Sequence, residues 1–121
     1  MKFNYERMDI TSDVHKLIRE VYQLSCIFPD DEKFNLVSQV KRASTSVLLN
    51  IAEGSSRRSA ADYRRFVIMA IGSAVELDAV LKLAISIGYL TQDEYLRIEP
   101  MIKTVYFKLI KLRKSLEKKT F

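Results

Sequence analysis

From Tyr63 to Ala84 the chain reads YRRFVIMAIGSAVELDAVLKLA. Within that stretch Tyr63, Val67, Ala70, Ala74, Leu77, Leu81 and Ala84 recur at spacings of 4, 3, 4, 3, 4 and 3. Apolar residues at this rhythm line one seam of an α-helix and repeat every seven residues. The same rhythm continues downstream in Ile98, Ile102, Val105, Leu109, Leu112 and Leu116. Upstream it appears twice more, in Val14, Leu17, Val21, Leu24 and Phe28, and in Leu36, Val40, Ala43 and Val47, with Val37 and Ile51 broadening the second face. No segment alternates with the period of two that a half-buried strand shows.

The breaks between these seams carry helix stop and start signals. Thr11 or Ser12 is a suitable N-cap for the first helix, and Pro29 ends it, because a proline disfavours helical geometry in the residue before it. Gly54 reads as the stop of the second helix and Gly88 as the stop of the third. Ser59 stands three residues before Asp62, close to a capping box, and Thr91 with Glu94 is a full T-x-x-E box. The expected helices are therefore near 11–28, 33–53, 60–87 and 92–118. Pro100 falls inside the fourth, where it removes a hydrogen bond, so a kink or restart is expected there. Short connections make successive helices antiparallel neighbours: an all-α, up-down-up-down four-helix bundle filling residues 1–121 as one domain.

Composition narrows the function classes. With 121 residues, three Gly and two Pro, the chain fits one domain without a linker. No charge-free run exceeds ten residues, whereas a membrane span needs about 20 apolar ones, and the charged start MKFNYERMD lacks a secretion signal, so a cytoplasmic location without membrane contact is expected. Cys26 is the sole cysteine and reads as a small buried thiol. His15, the sole histidine, lies about 16 Å along one helix from it at roughly 1.5 Å per residue, too far for a Cys–His pair.

Arg42, Ser46, Asn50 and Glu53 form a polar stripe on the second helix, which Ser73 and Glu76 could face from the third. A two-metal bundle would need Glu-x-x-His pairs, which this chain lacks. The expected reading is a buried, mutually satisfied network that fixes helix register. No phosphate loop, G-x-G-x-x-G, H-E-x-x-H or G-x-S-x-G motif occurs, and Asp30, Asp31 and Glu32 lack the ligand alternation of a calcium loop. No catalytic residue, metal or cofactor is expected.

The net charge of +5 is concentrated. Residues 101–121 carry seven Lys or Arg against Glu117 alone. Two clusters are candidates for phosphate contacts: Arg57, Arg58, Arg64 and Arg65 around the start of the third helix, and Lys108, Lys111, Lys114 and Lys118 on the last. The segment FVIMAIGSAV, Phe66 to Val75, is apolar nearly all round. It lacks the polar stripe of a helix with one solvent face, so something must cover its outer side: either a central position in the bundle or another subunit. Tyr106 and Phe107 also favour assembly.

From Phe28 to Leu90 the chain resembles a family of small bacterial four-helix bundles often encoded by intervening sequences inside the 23S ribosomal RNA gene. The pattern runs Phe28-Pro29, Glu32, Leu36, Ser38-Gln39, Arg42-Ala43 and Ser46-Val47 into Asn50-Ile51-Ala52-Glu53-Gly54. It continues with Phe66, Ala70, Gly72-Ser73, Glu76-Leu77 and Gly88-Tyr89-Leu90. Leu48 departs from a proline common in the family, so the second helix should run without that kink.

The resemblance implies a left-handed bundle able to form a ring, pentameric in relatives. Some relatives look like accessory proteins of diversity-generating retroelements, in which a basic bundle binds nucleic acid and a reverse transcriptase. It also implies that Asn50 and Glu53 are architecture rather than a reaction centre. The expected function is a non-catalytic homo-oligomer that binds RNA or structured nucleic acid. The alternative is a protein–protein adaptor without a nucleic-acid role.

Overall fold

The computed structural model describes residues 1–117. The helices are α1 (Asp9–Ser25), α2 (Leu36–Ser55), α3 (Ala60–Ser86) and α4 (Gln92–Glu117), with short 3-10 turns at Asn4–Arg7 and Asp30–Glu32. Contacts run α1–α2, α2–α3, α3–α4 and α4–α1, the cyclic order of an up-and-down bundle, with α2–α3 the most extensive. Cross-helix contacts give the directions. At one end Asn4 Nδ2 donates to the Ser55 carbonyl (3.3 Å), Tyr63 Oη meets Met8 Sδ (3.5 Å) and Lys108 binds Asp9. At the other end Phe28 and Tyr89 place their ring centres 6.2 Å apart. The starts of α1 and α3 and the finishes of α2 and α4 thus share the first end.

The seams form one core. Val14, Leu17, Val47, Ile51, Val67, Ala70, Leu77, Val105 and Leu109 are essentially inaccessible, and every remaining seam residue is buried or half-buried. Three predicted caps are present, at Ser59, Thr91 and Gly88, the last two flanking the α3–α4 connection. Thr91 Oγ1 accepts from Glu94 N (3.1 Å) while Glu94 Oε1 accepts from Thr91 N (2.9 Å). Gly88 takes φ +87°, which lets Tyr89 N reach the Ala84 carbonyl (2.9 Å) and Gly88 N the Ile85 carbonyl (3.1 Å), a Schellman ending.

Several boundaries differ from expectation. Helix α1 begins at Asp9, because the 3-10 turn before it folds back and Thr11, inside the helix and buried, donates to the Tyr5 carbonyl. It ends at Ser25: ahead of Pro29 the chain tightens into i→i+3 bonds through Phe28, whose ring takes the inward position. Cys26 is consequently exposed rather than buried. Helix α2 begins only at Leu36, the preceding acids forming a separate 3-10 turn, and it runs unbroken past Leu48.

Gly54 is no stop signal. It lies inside α2, and a Cβ there would sit 2.7 Å from Phe66 Cβ and 3.0 Å from the Tyr63 ring, so the crossing of α2 and α3 demands glycine. Pro100 does not restart α4, which runs unbroken. Pro100 and Leu96 are both exposed, so the carbonyl that the proline leaves unpaired can bond water.

Candidate nucleic-acid interface

The α2–α3 corner is built around a capped helix start. Ser59 Oγ accepts from Asp62 N (3.1 Å), satisfying one of the free N–H groups at the head of α3. The reciprocal half of a capping box is absent, because the Asp62 carboxylate is taken by arginines. Its Oδ1 receives Arg65 Nη2 at 2.7 Å and its Oδ2 lies 3.6 Å from Arg57 Nε. Arg57 also donates to Glu53 Oε1 at 2.7 Å. The two guanidiniums lie over the buried Phe66 ring, 4.6 and 5.2 Å from its centre. Among the described residues Arg58 and Arg64 form no ion pair.

The α4 cluster is divided in the same way. Lys108 reaches across to α1, binding Asp13 at 2.5 Å and Asp9 as well. Its hydrogen bonds to Asp13 and Asp9 raise the ammonium's pKa, and the Lys108 bond lowers that of Asp9. Lys111 and Lys114 are exposed without an ion pair among the described residues, and Lys118 lies outside those residues. Both clusters lie at the end where α2 finishes, on different flanks: one at the α2–α3 corner, the other along the α1–α4 groove with Met8, Asp9 and Leu112. Of the eight predicted cations, three are neutralised by carboxylates: Arg57 and Arg65 by Glu53 and Asp62 at spacings of four and three, and Lys108 by acids of α1 that sequence spacing did not reveal.

The polar stripe on α2 is not a buried network. Arg42, Glu53 and Glu76 are exposed, and Ser46, Asn50 and Ser73 only half-buried. What survives is a small hydroxyl–amide cluster. Ser73 Oγ donates to Ser46 Oγ (3.0 Å), and Asn50 Nδ2 donates to Ser46 Oγ (3.1 Å) and the Ser46 carbonyl (2.9 Å). The stripe runs along the flank of α2 at the margin of the α2–α3 contact. Small side chains fit between the helices there, while the long charged ones turn to water, which avoids the cost of burying them.

The largest polar cluster outside these sites was missed. In a cleft of about 210 Å³ between α3 and α4, Tyr95 donates to Asp78 Oδ1 at 2.5 Å and lies 3.1 Å from Glu99 Oε2. Lys82 pairs with Asp78 (2.9 Å) and Lys103 lies 3.7 Å from Glu99. Burial first, then the bond to Asp78, pushes the Tyr95 phenol upward. The i,i+4 pairs Asp78–Lys82 and Glu99–Lys103 are visible in sequence; their meeting through Tyr95 is not. Among the described residues no group of three or more His, Cys, Asp or Glu could hold a metal.

The outer face of α3 is uncovered by the described residues. Ile68, Met69, Val75 and Leu83 are 42–54% exposed, which removes the central-helix explanation. Phe107 on α4 is exposed too.

The family model described as "23S rRNA-intervening sequence protein" matches residues 6–111. The chain belongs to that family. Among solved structures, one titled a protein with unknown function from the S23 ribosomal protein family of Bacteroides thetaiotaomicron superposes with a TM-score of 0.79. It is 24% identical, over 87% of this chain and 98% of that one, a likeness that shows the four-helix fold alone. No curated protein matches the chain. Neither the family description nor that structure's title carries a catalytic activity. No described helix is long and apolar enough to cross a membrane.

Proposed function

We propose that the chain is a non-catalytic, self-assembling bundle of the cytoplasm that binds RNA or structured nucleic acid through its basic end. One observation carries the reading: Arg58, Arg64, Lys111 and Lys114 stand without ion pairs among the described residues, all at the same end of the bundle. Cations not tied to carboxylates are the ones that release counterions from a phosphate backbone. The family's description, which names ribosomal RNA, supports the same direction.

Four such contacts per subunit give a salt slope near −3 for single strands, or about fiftyfold weaker binding from 50 to 200 mM salt. Fluorescence anisotropy with a labelled single-stranded RNA measures it. Replacing the four residues by alanine should remove most of both affinity and slope; binding that ignores salt and these residues would refute the reading.

The exposed apolar face of α3 supports assembly, with the pentamer of the resemblance as the favoured ring. It also favours a second reading, an adaptor docking another protein such as a reverse transcriptase. In that case Ile68→Glu and Val75→Glu would abolish binding while added salt would not.

A further inference from the structure

Beside the head of α3 is a recess of about 430 Å³ lined by Ser56, Arg57, Arg58, Ser59 and Asp62. Apart from Asp62, every lining side chain is a hydroxyl or a guanidinium. Asp62 spends its two oxygens on two guanidiniums, Arg65 at 2.7 Å and Arg57 at 3.6 Å, which is how a phosphate would engage the same pair. That use of the carboxylate replaces the local one, since Asp62 accepts nothing from the Ser59 backbone. The Phe66 ring beneath Arg57 and Arg65 holds both guanidiniums in place. An incoming anion would therefore find its donors already ordered, which lowers the entropic cost of binding.

We propose that this recess is a phosphodiester site of the nucleic-acid interface and that Asp62 is its built-in competitor, occupying the position a backbone phosphate takes. The proposal rests on the nucleic-acid reading above and adds to it the site and what limits its affinity. In the unmodified chain Asp62 holds Arg57 and Arg65 against the phosphate; with that carboxylate removed or displaced the phosphate takes both, with Arg58 and the hydroxyls of Ser56 and Ser59 completing the recess. The Asp62 side chain is 31% exposed, so it can turn out to water when displaced.

The test compares the full chain with its Asp62→Asn variant on the same labelled single-stranded RNA between 50 and 200 mM salt. Asparagine keeps the size of the side chain and the backbone N–H that Ser59 accepts from, but it frees Arg65 and leaves Arg57 paired with Glu53 alone. The expected result is binding about three- to tenfold tighter at 50 mM salt and a slope steeper by about 0.7 to 1.4, the mark of one or two added phosphate contacts. Adding Arg57→Ala to Asp62→Asn should cancel part of that gain.

If the unmodified chain binds with a salt-dependent affinity and Asp62→Asn neither tightens binding nor steepens the slope, the proposal is overturned while the nucleic-acid reading stands. If neither protein binds RNA, that reading falls and takes this site with it. Should Asp62→Asn melt below the assay temperature, Glu53→Gln takes its place. That change frees Arg57 from the α2 side without touching α3, and it should shift affinity in the same direction by a smaller factor.

Discussion

Replacing Gly54 by alanine places a methyl group 2.7 Å from Phe66 Cβ, closer than real Cβ contacts come, and 3.0 Å from the Tyr63 ring. The Phe66 Cβ is fixed to the α3 backbone, so rotamer changes cannot relieve that clash and the two helices must move apart. Overpacking of this kind costs up to about 3 kcal/mol, while exchanging Gly for Ala inside a helix returns about 1 kcal/mol. The net expectation is destabilisation by about 2 kcal/mol. With an unfolding entropy near 2.1 cal/mol/K per residue over 121 residues, that lowers Tm by roughly 8 °C.

The matched control is Gly72→Ala. That glycine is also helical, but a Cβ there meets nothing within 4 Å. Within one chain only the propensity gain remains, so on the Ile68→Glu, Val75→Glu background, which keeps that face free, Tm should rise by roughly 2–4 °C. Thermal melts by circular dichroism, at concentrations where the solution mass is known, decide the matter. Gly54→Ala melting at or above the parent would refute the idea that close packing of α2 on α3 requires glycine.

Three further expectations concern other parts of the molecule. The Glu94 carboxyl is held below its ordinary value first by the Thr91 backbone N–H and then by the Thr91 hydroxyl. Its stabilising contribution is thus present above pH 4.5 and lost as pH falls through the lower folded value, so Glu94→Gln should flatten the decline of Tm between pH 6 and 3. Tyr95→Phe removes the hydroxyl that joins Asp78 and Glu99 and should cost about 1 kcal/mol in denaturant unfolding. Ile68→Glu with Val75→Glu should leave the melting of the single chain nearly unchanged but reduce the solution mass to 14.0 kDa by light scattering; a parent chain that is itself a monomer would refute assembly through α3.

The core was legible because the residues that define it repeat at helical spacing, and the caps at Ser59, Thr91 and Gly88 because each depends on neighbours within five positions. Gly54 was misread because its reason lies across the chain at Phe66, in a crossing that spacing along one helix does not encode. Cys26 was misread because the last turn of α1 tightened ahead of Pro29 and handed the inward position to Phe28. The basic clusters were legible as residue types but not as available charge. The partners that neutralise Lys108 lie 95 and 99 positions away in sequence, and whether Asp62 caps a backbone or binds arginines is decided only in three dimensions. The stripe through Arg42 and Glu76 was placed inside by a pattern that says which residues share a line, but not how far round the helix the neighbour's cover extends.

The cyclic order of the helices also sets how the chain assembles itself. Three of the four packed pairs join consecutive helices across short connections, so they can form as local hairpins with little loop-closure entropy. The α1–α4 pair alone unites distant segments, and it has less contact than α2–α3 or α3–α4. Closing it is therefore expected to be the late step of folding, and reopening it the easiest partial unfolding. Amide hydrogens along the α1–α4 seam should therefore exchange sooner than those of the α2–α3 hairpin, which would persist as the most protected unit of the molecule.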